Sequence, residues 1–259
     1  MKLVYCGRLA GGACHADRVV HADLPAPAPR LTILDDAEAV ARYAADTVAS
    51  SIDAARDEGR ELHIALAGGS TLQRAYELLS EVPGSWAHVH LWLGDERCVP
   101  EDDPHANVRM VRESLLAGAR DGAPVLHPVP SPEVPEDAAW LYGREILQHM
   151  PDAVFDLVLL GMGPDGHTCS LFPGHPVLDV REAPVAPVRD SPKPPPERVT
   201  LTLPVLRDAR FTLLLATGAE KRAALAAALA GDESTPLARL GGGLDEVACD
   251  AAAAPGAKS

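Results

Sequence analysis

The chain lacks any pair of cysteines in CxxC spacing, and its five cysteines, Cys6, Cys14, Cys98, Cys169 and Cys249, are odd in number and scattered. That fits a reducing compartment better than a disulfide framework, and leaves no expectation of a zinc site or of any other metal. Basic residues are also in deficit, with 23 Lys and Arg against 37 Asp and Glu and a formal net charge of −14. A broad nucleic-acid surface or contact with an anionic membrane is therefore not expected. Long apolar runs are missing too: no window of about 18 apolar residues is present, so no membrane-spanning helix is expected. Residues 1–30 carry Lys2, Arg8 and Arg18 without a continuous apolar stretch, and they run into Pro25-Ala26-Pro27-Ala28-Pro29. They make a poor signal peptide and read as a loosely ordered arm, which leaves the cytoplasm as the default location.

What is present fits one large α/β domain over residues 31–255 followed by a short tail at 256–259, since α/β sheets of about 250 residues often form a single unit. Strand and helix signals alternate. Leu31–Leu34 reads as a strand, and Asp35-Asp36 cap an alanine-rich helix that Gly59 ends. Leu62–Ala67 reads as a buried strand, with Ser70 or Thr71 capping a helix through Leu79. Val89–Leu93 is the next strand, then a loop over Gly94–Pro104 and a helix over Asn107–Leu116. A helix over Glu136–His149 precedes a strand at Phe155. After a proline-rich excursion at Ala183–Pro196, strands follow at Arg198–Leu203 and Phe211–Ala216, then a helix over Ala219–Leu229. This alternation predicts a doubly wound, mainly parallel sheet with helices on both faces.

The most informative segment is Phe155–Gly174, FDLVLLGMGPDGHTCSLFPG, where an unpatterned apolar strand runs into a glycine-rich turn carrying His167. Gly161–Gly166 satisfies GxGxxG, but a dinucleotide fingerprint needs a long helix after its last glycine, and here Pro173, Gly174 and Pro176 leave no room for one. Three strands end in loops dense with glycine or charge, at 67–71, 94–97 and 161–167, and Ala216–Lys221 has the same form. The carboxyl ends of parallel strands share one sheet edge, so one site built from four loops is expected.

Gly68-Gly69-Ser70-Thr71 at a helix start offers N–H groups, two hydroxyls and a positive helix end, a seat for a phosphate. The same four residues also suit a plain capped turn. Without a GK[ST] ending they fit a monophosphate better than a nucleoside triphosphate. Arg97 and Lys221 can supply the compensating charge in an otherwise acidic chain. His167 has the titration range of a general base or acid, with Asp165, Asp95 and Glu96 available to orient the imidazole. No GxSxG elbow is present and Cys169 has no recognisable partner, so attack by an activated water fits better than a covalent acyl-enzyme.

AGGST at 67–71, GDERCVPEDDPHAN at 94–107, GMGPDGHTCSLFPG at 161–174, KPPPERVTLTLP at 193–204 and TGAEK at 217–221 resemble, in order, the successive motifs of the 6-phosphogluconolactonase family, within the glucosamine/galactosamine-6-phosphate isomerase superfamily. The resemblance spans roughly residues 31–255. It implies the α/β fold shared with glucosamine-6-phosphate deaminases and ribose-5-phosphate isomerases, and hydrolysis of 6-phospho-D-glucono-1,5-lactone in the oxidative pentose phosphate pathway without metal or organic cofactor. For this chain it implies His167 as the base, Asp95 and Glu96 as its support, and Gly68, Gly69, Ser70, Thr71, Arg97 and Lys221 around the phosphate. Asn107, Gly163, Asp165, Gly166 and Arg198 are counted with them as substrate-binding residues. Arg198 also falls in a motif, and its division of labour with Arg97 stays open. Gly163, Asp165 and Gly166 shape the histidine turn, whose N–H groups, or a nearby side chain, are candidates for stabilising the oxyanion. Cys98, Cys169 and His105-Ala106 depart from the family pattern, which leaves the placement of the 101–107 loop open.

Two rivals stand beside the lactonase. A deaminase or isomerase of the same fold acting on glucosamine 6-phosphate also places a histidine in a GxGxDGH-type turn, and a non-enzymatic sugar-phosphate sensor needs no base at all. The expected partner is a small sugar-phosphate lactone, with no nucleic acid and no membrane. The oligomeric state is not legible, and the sequence is compatible with a monomer.

Overall fold

The structure, a computed structural model, describes residues 27–84, 86–118, 122–130 and 134–256. Most of the arm expected over 1–30, and all of the tail beyond 256, lie outside the described residues. The first strand opens at Arg30, one residue ahead of the expected domain boundary.

Seven parallel strands form the central sheet. They are β1 (Arg30–Leu34), β2 (Leu62–Leu66), β3 (Val89–Leu93), β5 (Val125–His127), β6 (Leu157–Gly161), β9 (Thr212–Ala216) and β10 (Glu246–Asp250), in the order β1-β10-β9-β6-β2-β3-β5. The inner strands LHIAL, VHLWL and TLLLA are buried at every residue, because helices and loops cover both faces of a parallel sheet and no position alternates to water. At the rim, β1 alternates, with Leu31 and Ile33 exposed. The acidic ends of β10 are satisfied internally: Glu246 accepts from Thr32 and Tyr43 at 2.7 Å each and pairs with Arg30.

From β2 the chain winds through β3 to β5 on one side, whereas β6, β9 and β10 build outward on the other. The order therefore reverses between β2 and β6. In open α/β sheets the crevice outside the strand carboxyl ends at such a reversal is where ligands sit.

Helix α1 (Ala37–Glu58) starts where Asp36 accepts the Ala39 N–H at 2.8 Å and stops at Gly59, whose φ of 66° puts it in the left-handed region glycine tolerates. Val40, Ala44, Val48, Ile52 and Ala55 form its buried stripe. Helix α2 (Ser70–Ser80) packs against α1, and α3 (Asn107–Ser114) packs against α2. Helix α4 (Pro135–His149) covers the face that carries Trp92, where the Tyr142 hydroxyl donates to the Leu93 carbonyl and accepts the Leu93 N–H. Helices α5 (Leu203–Asp208) and α6 (Arg222–Leu229) complete the set.

Several expectations need correction. Residues 94–97 are not a loop: Asp95–Arg97 is a strand, β4, pairing antiparallel with β8 (Arg198–Leu201), which pairs in turn with β7 (Val185–Val188) in a separate three-stranded sheet. β7 lies inside the proline-rich excursion, where Pro187 is tolerated because β7 is an edge strand. The strand read as Arg198–Leu203 ends at Leu201, and Pro204 opens α5, since a first helical turn needs no N–H from proline. The cap of α2 is Gly69, not Ser70 or Thr71. The last expected helix begins with a 3-10 turn over Ala219–Lys221. No helix among the described residues is long and apolar enough to cross a membrane.

Candidate active site

At the reversal between β2 and β6 lies a cleft of about 610 Å³, solvent mouth included. Its wall takes residues from all four expected loops: Gly68–Thr71 after β2, Asp95 and Arg97 in β4, Gly163 and His167 after β6, and Lys221 after β9. The hydroxyls of Thr71 and Thr217 meet at 2.7 Å and tie the first of these loops to the last.

The β2 turn is built from backbone constraints. Gly69 has φ 120°, a conformation side chains rarely adopt, and a Cβ on Gly68 would sit 2.3 Å from the Asn107 side-chain oxygen. Gly69 caps α2 without a side-chain hydrogen bond, so the first-turn N–H groups of α2 have no intrahelical acceptor and stand at the cleft wall with the positive helix end. The Arg97 Nη1 donates to the His105 carbonyl at 2.6 Å, while its Nε is buried without a partner. Lys221, half-buried on the opposite wall, makes no ion pair among the described residues; burial lowers its pKa, and Glu220 and Asp250 oppose that shift. An unpaired buried guanidinium N–H, a half-buried ammonium and an open helix N-terminus around one space favour an anion.

The histidine turn is closed on itself. Gly163 N–H donates to the His167 carbonyl and Gly166 N–H to the Gly163 carbonyl, both at 2.9 Å. These two groups are thus occupied inside the turn and are not the free oxyanion donors the sequence suggested. A Cβ on Gly163 would lie 2.2 Å from the imidazole, so glycine there is what lets the ring lie down against the backbone. The ring rests against Phe172 at 4.9 Å between centroids.

His167 Nδ1 is 2.5 Å from Asp165 Oδ1, and Lys193 Nζ is 3.1 Å from the same oxygen. The carboxylate fixes the tautomer: Nδ1–H donates, and Nε2 keeps its lone pair. Burial of His167 lowers its pKa, the Asp165 hydrogen bond and charge oppose this, and Lys193 adds to the lowering. Burial would raise the Asp165 carboxyl, but the hydrogen bonds and charges of His167 and Lys193 hold it below its ordinary value. The imidazole is therefore neutral near pH 7, the state a base requires.

Asp95, almost fully buried, accepts from the Ser170 hydroxyl at 2.7 Å and from Asn107 Nδ2 at 3.2 Å, and lies 4.0 Å from Arg198. Arg198 is itself buried, and burial lowers its pKa. It donates to the carbonyls of Lys193, Pro194 and Pro195 and so pins the segment that carries Lys193 against His167. Of the two arginines, both of which line the cleft, Arg97 has a buried Nε without a partner, whereas Arg198 directs its donors to the carbonyls of 193–195.

Glu96, Asn107, Asp165 and Gly166 do not line the cleft. Asp165 reaches it through His167, and Asn107 packs behind Gly68. The Glu96 carboxylate points to α3, accepting the N–H groups of Arg97, Asn107 and Val108 at 2.7–2.8 Å. Burial pushes this carboxyl up to about 7, against the pull of those three donors. The expected role of Glu96 beside the imidazole is thereby replaced by a cap on α3, which has no side-chain cap of its own. Glu96→Ala leaves buried donors orphaned at about 1–3 kcal/mol each, so denaturant unfolding should show a loss of roughly 2 kcal/mol or more.

Lys193, Ser170 and Thr217 are not singled out from the sequence, although Lys193 opens the KPPPER motif. What marks Lys193 is its placement by Arg198, which is tertiary. Among the described residues, the three side chains close enough to one another to hold a metal ion are His90, His127 and His149, and none of them lines the cleft.

Known proteins resemble this chain in sequence and fold. A sequence profile described as "Glucosamine-6-phosphate isomerases/6-phosphogluconolactonase" matches residues 35–248. The human 6-phosphogluconolactonase is 40% identical over 235 residues, covering 83% of this chain and 87% of its own. The 6-phosphogluconolactonase of Streptomyces coelicolor is 37% identical over 221 residues, covering 78% and 84%. The crystal structure of 6-phosphogluconolactonase from Thermotoga maritima superposes with a TM-score of 0.76 at 30% identity, covering 86% of this chain and 99% of that one. The fold, the cleft at the strand reversal and these relationships place the chain in the family of glucosamine-6-phosphate isomerases and 6-phosphogluconolactonases.

Proposed function

We propose that the chain hydrolyses 6-phospho-D-glucono-1,5-lactone to 6-phospho-D-gluconate, with His167 as the general base. The observation that carries the mechanism is the Asp165–His167 pair at the wall of an anion-favouring cleft. The relatives named above support the reaction.

In this mechanism the phosphate sits against the N-terminus of α2, Arg97 and Lys221. Held at that end, the ring presents its C1 carbonyl near His167. Nε2 takes a proton from water as the water oxygen bonds to C1, and Asp165 stabilises the imidazolium that forms. As the tetrahedral adduct collapses, the bond from C1 to the ring oxygen breaks and the imidazolium returns the proton to that oxygen. The products are a carboxylic acid and a free hydroxyl. The phosphate takes no part in bond-making, so its binding energy serves orientation.

A deaminase of the same fold would release ammonia from glucosamine 6-phosphate, and a sensor would bind sugar phosphate without turnover. Offering the lactone and glucosamine 6-phosphate in parallel separates the three. The expected result is acid release from the lactone above its spontaneous rate and no ammonia from the amino sugar. Ammonia release, or tight binding with neither product, would overturn the assignment.

A further inference from the structure

On the Trp92 face of the sheet, away from the cleft, four histidines gather at the end of α4. His63 and His90 are register partners on β2 and β3, His127 ends β5 opposite Trp92, and His149 is the last residue of α4. His63 and His90 stand near the amino ends of β2 and β3, whereas the cleft lies beyond the carboxyl ends of the strands. Ligand-capable atoms of His90, His127 and His149 all lie within 4.8 Å of one another.

The hydrogen bonds assign the lone pairs. His127 Nδ1 is 2.7 Å from Glu145 Oε1, so Nδ1–H donates to the carboxylate and Nε2 is left basic. That Nε2 faces His90 Nδ1 at 2.9 Å and lies in the same cluster as His149. His63 does not compete, because its Nδ1 accepts the Trp92 indole N–H at 3.1 Å. Trp92 stacks on His127 with 3.7 Å between centroids and fixes the ring plane.

We propose that His90, His127 and His149 form a three-imidazole site for a divalent transition ion, Zn²⁺ foremost, with Glu145 as the outer carboxylate. Three imidazoles with an open fourth position suit Zn²⁺, and a carboxylate on the far nitrogen of one ligand is the usual outer support. Tetrahedral Zn–N bonds of about 2.0–2.1 Å require nitrogens about 3.3 Å apart, so His90 and His127 need separate only slightly. His149 is exposed and gives the ion its way in. A bound ion would tie the end of α4 to β3 and β5. Such a site is not legible in the sequence, because its ligands are distant in the chain and none is a cysteine.

The test is calorimetric titration of Zn²⁺ into the chelator-treated full chain. Cys6, Cys14, His15 and His21 also belong to that chain, so the quantity read is the difference between wild type and His149→Ala, with His149→Gln as a second variant. Loss of one equivalent of Zn²⁺ in both is expected, with Glu145→Gln weakening that equivalent about 10–100-fold. Zn²⁺ should raise the melting temperature of the wild type more than that of His149→Ala, and lactone hydrolysis should be the same in both proteins. Equal stoichiometry and affinity in wild type and both His149 variants would overturn the proposal, and would leave the cluster as a stack held by the His90–His127 hydrogen bond.

Discussion

Replacing His167 by Gln is expected to lower kcat by two or more decades while substrate still binds. Gln retains a polar side chain of similar reach but cannot take a proton at neutral pH, and a positioned base contributes about 10²–10⁴-fold. The contacts proposed for the phosphate, at Gly69, Ser70, Arg97 and Lys221, belong to other elements and remain in place. A fall in kcat with little change in KM is therefore the signature. The pH dependence has a fixed sign. The base is active when neutral, so the wild-type rate falls as pH drops through the imidazole pKa, which burial places below its ordinary value. Asp165 opposes that lowering, so Asp165→Asn should move the acidic limb to lower pH still. Background-corrected pH–rate profiles check both points, and a His167→Gln protein with wild-type kcat and an unchanged acidic limb would assign the base elsewhere.

Replacing Lys221 by Ala is expected to raise KM about tenfold or more with a smaller change in kcat. Lys221 makes no ion pair among the described residues yet is half-buried at the cleft, where a charge-assisted hydrogen bond contributes about 1.5–3 kcal/mol. The same loss should appear for inorganic phosphate acting as a competitor, because the contact is with the phosphate rather than the lactone ring. Adding the loss of Arg97, whose Nε is the buried unpartnered donor, should deepen the effect. Unchanged KM and unchanged inhibition by phosphate in Lys221→Ala would remove this residue from the site.

The long, strongly patterned elements were legible in the sequence. Asp36 and Gly59 bracket α1 as capping chemistry requires, and the apolar runs at β2, β3, β6 and β9 are strands because each is buried on both faces. Short elements were not. β5 has three residues, β7 is interrupted by Pro187, and β10 begins and ends with an acid, Glu246 and Asp250; β5 and β10 are held by strands distant in sequence, and β7 by its pairing with β8. The site divides along the same line. Loops that follow strands could be assembled at one edge, since parallel strands impose it, and the glycines at 68 and 163 mark the close approaches of the Asn107 and His167 side chains, while Gly69 supplies a positive φ. Neighbouring residues of one motif diverged. Asp95 and Glu96 alternate along β4, so one faces the cleft and the other caps α3, a distinction available only once 94–97 is known to be a strand. The Lys193 contact was hidden for a similar reason, since it forms only once Arg198 and Ser191 hold that segment beside His167.

The most direct measurement generates 6-phosphogluconolactone in place from glucose 6-phosphate and follows its disappearance as the protein is titrated in, subtracting spontaneous hydrolysis. The expected result is a rate of loss proportional to protein concentration, reduced by two or more decades at saturating substrate in His167→Gln. Decay equal to that in buffer at every protein concentration would contradict the assignment of this cleft as a lactonase site.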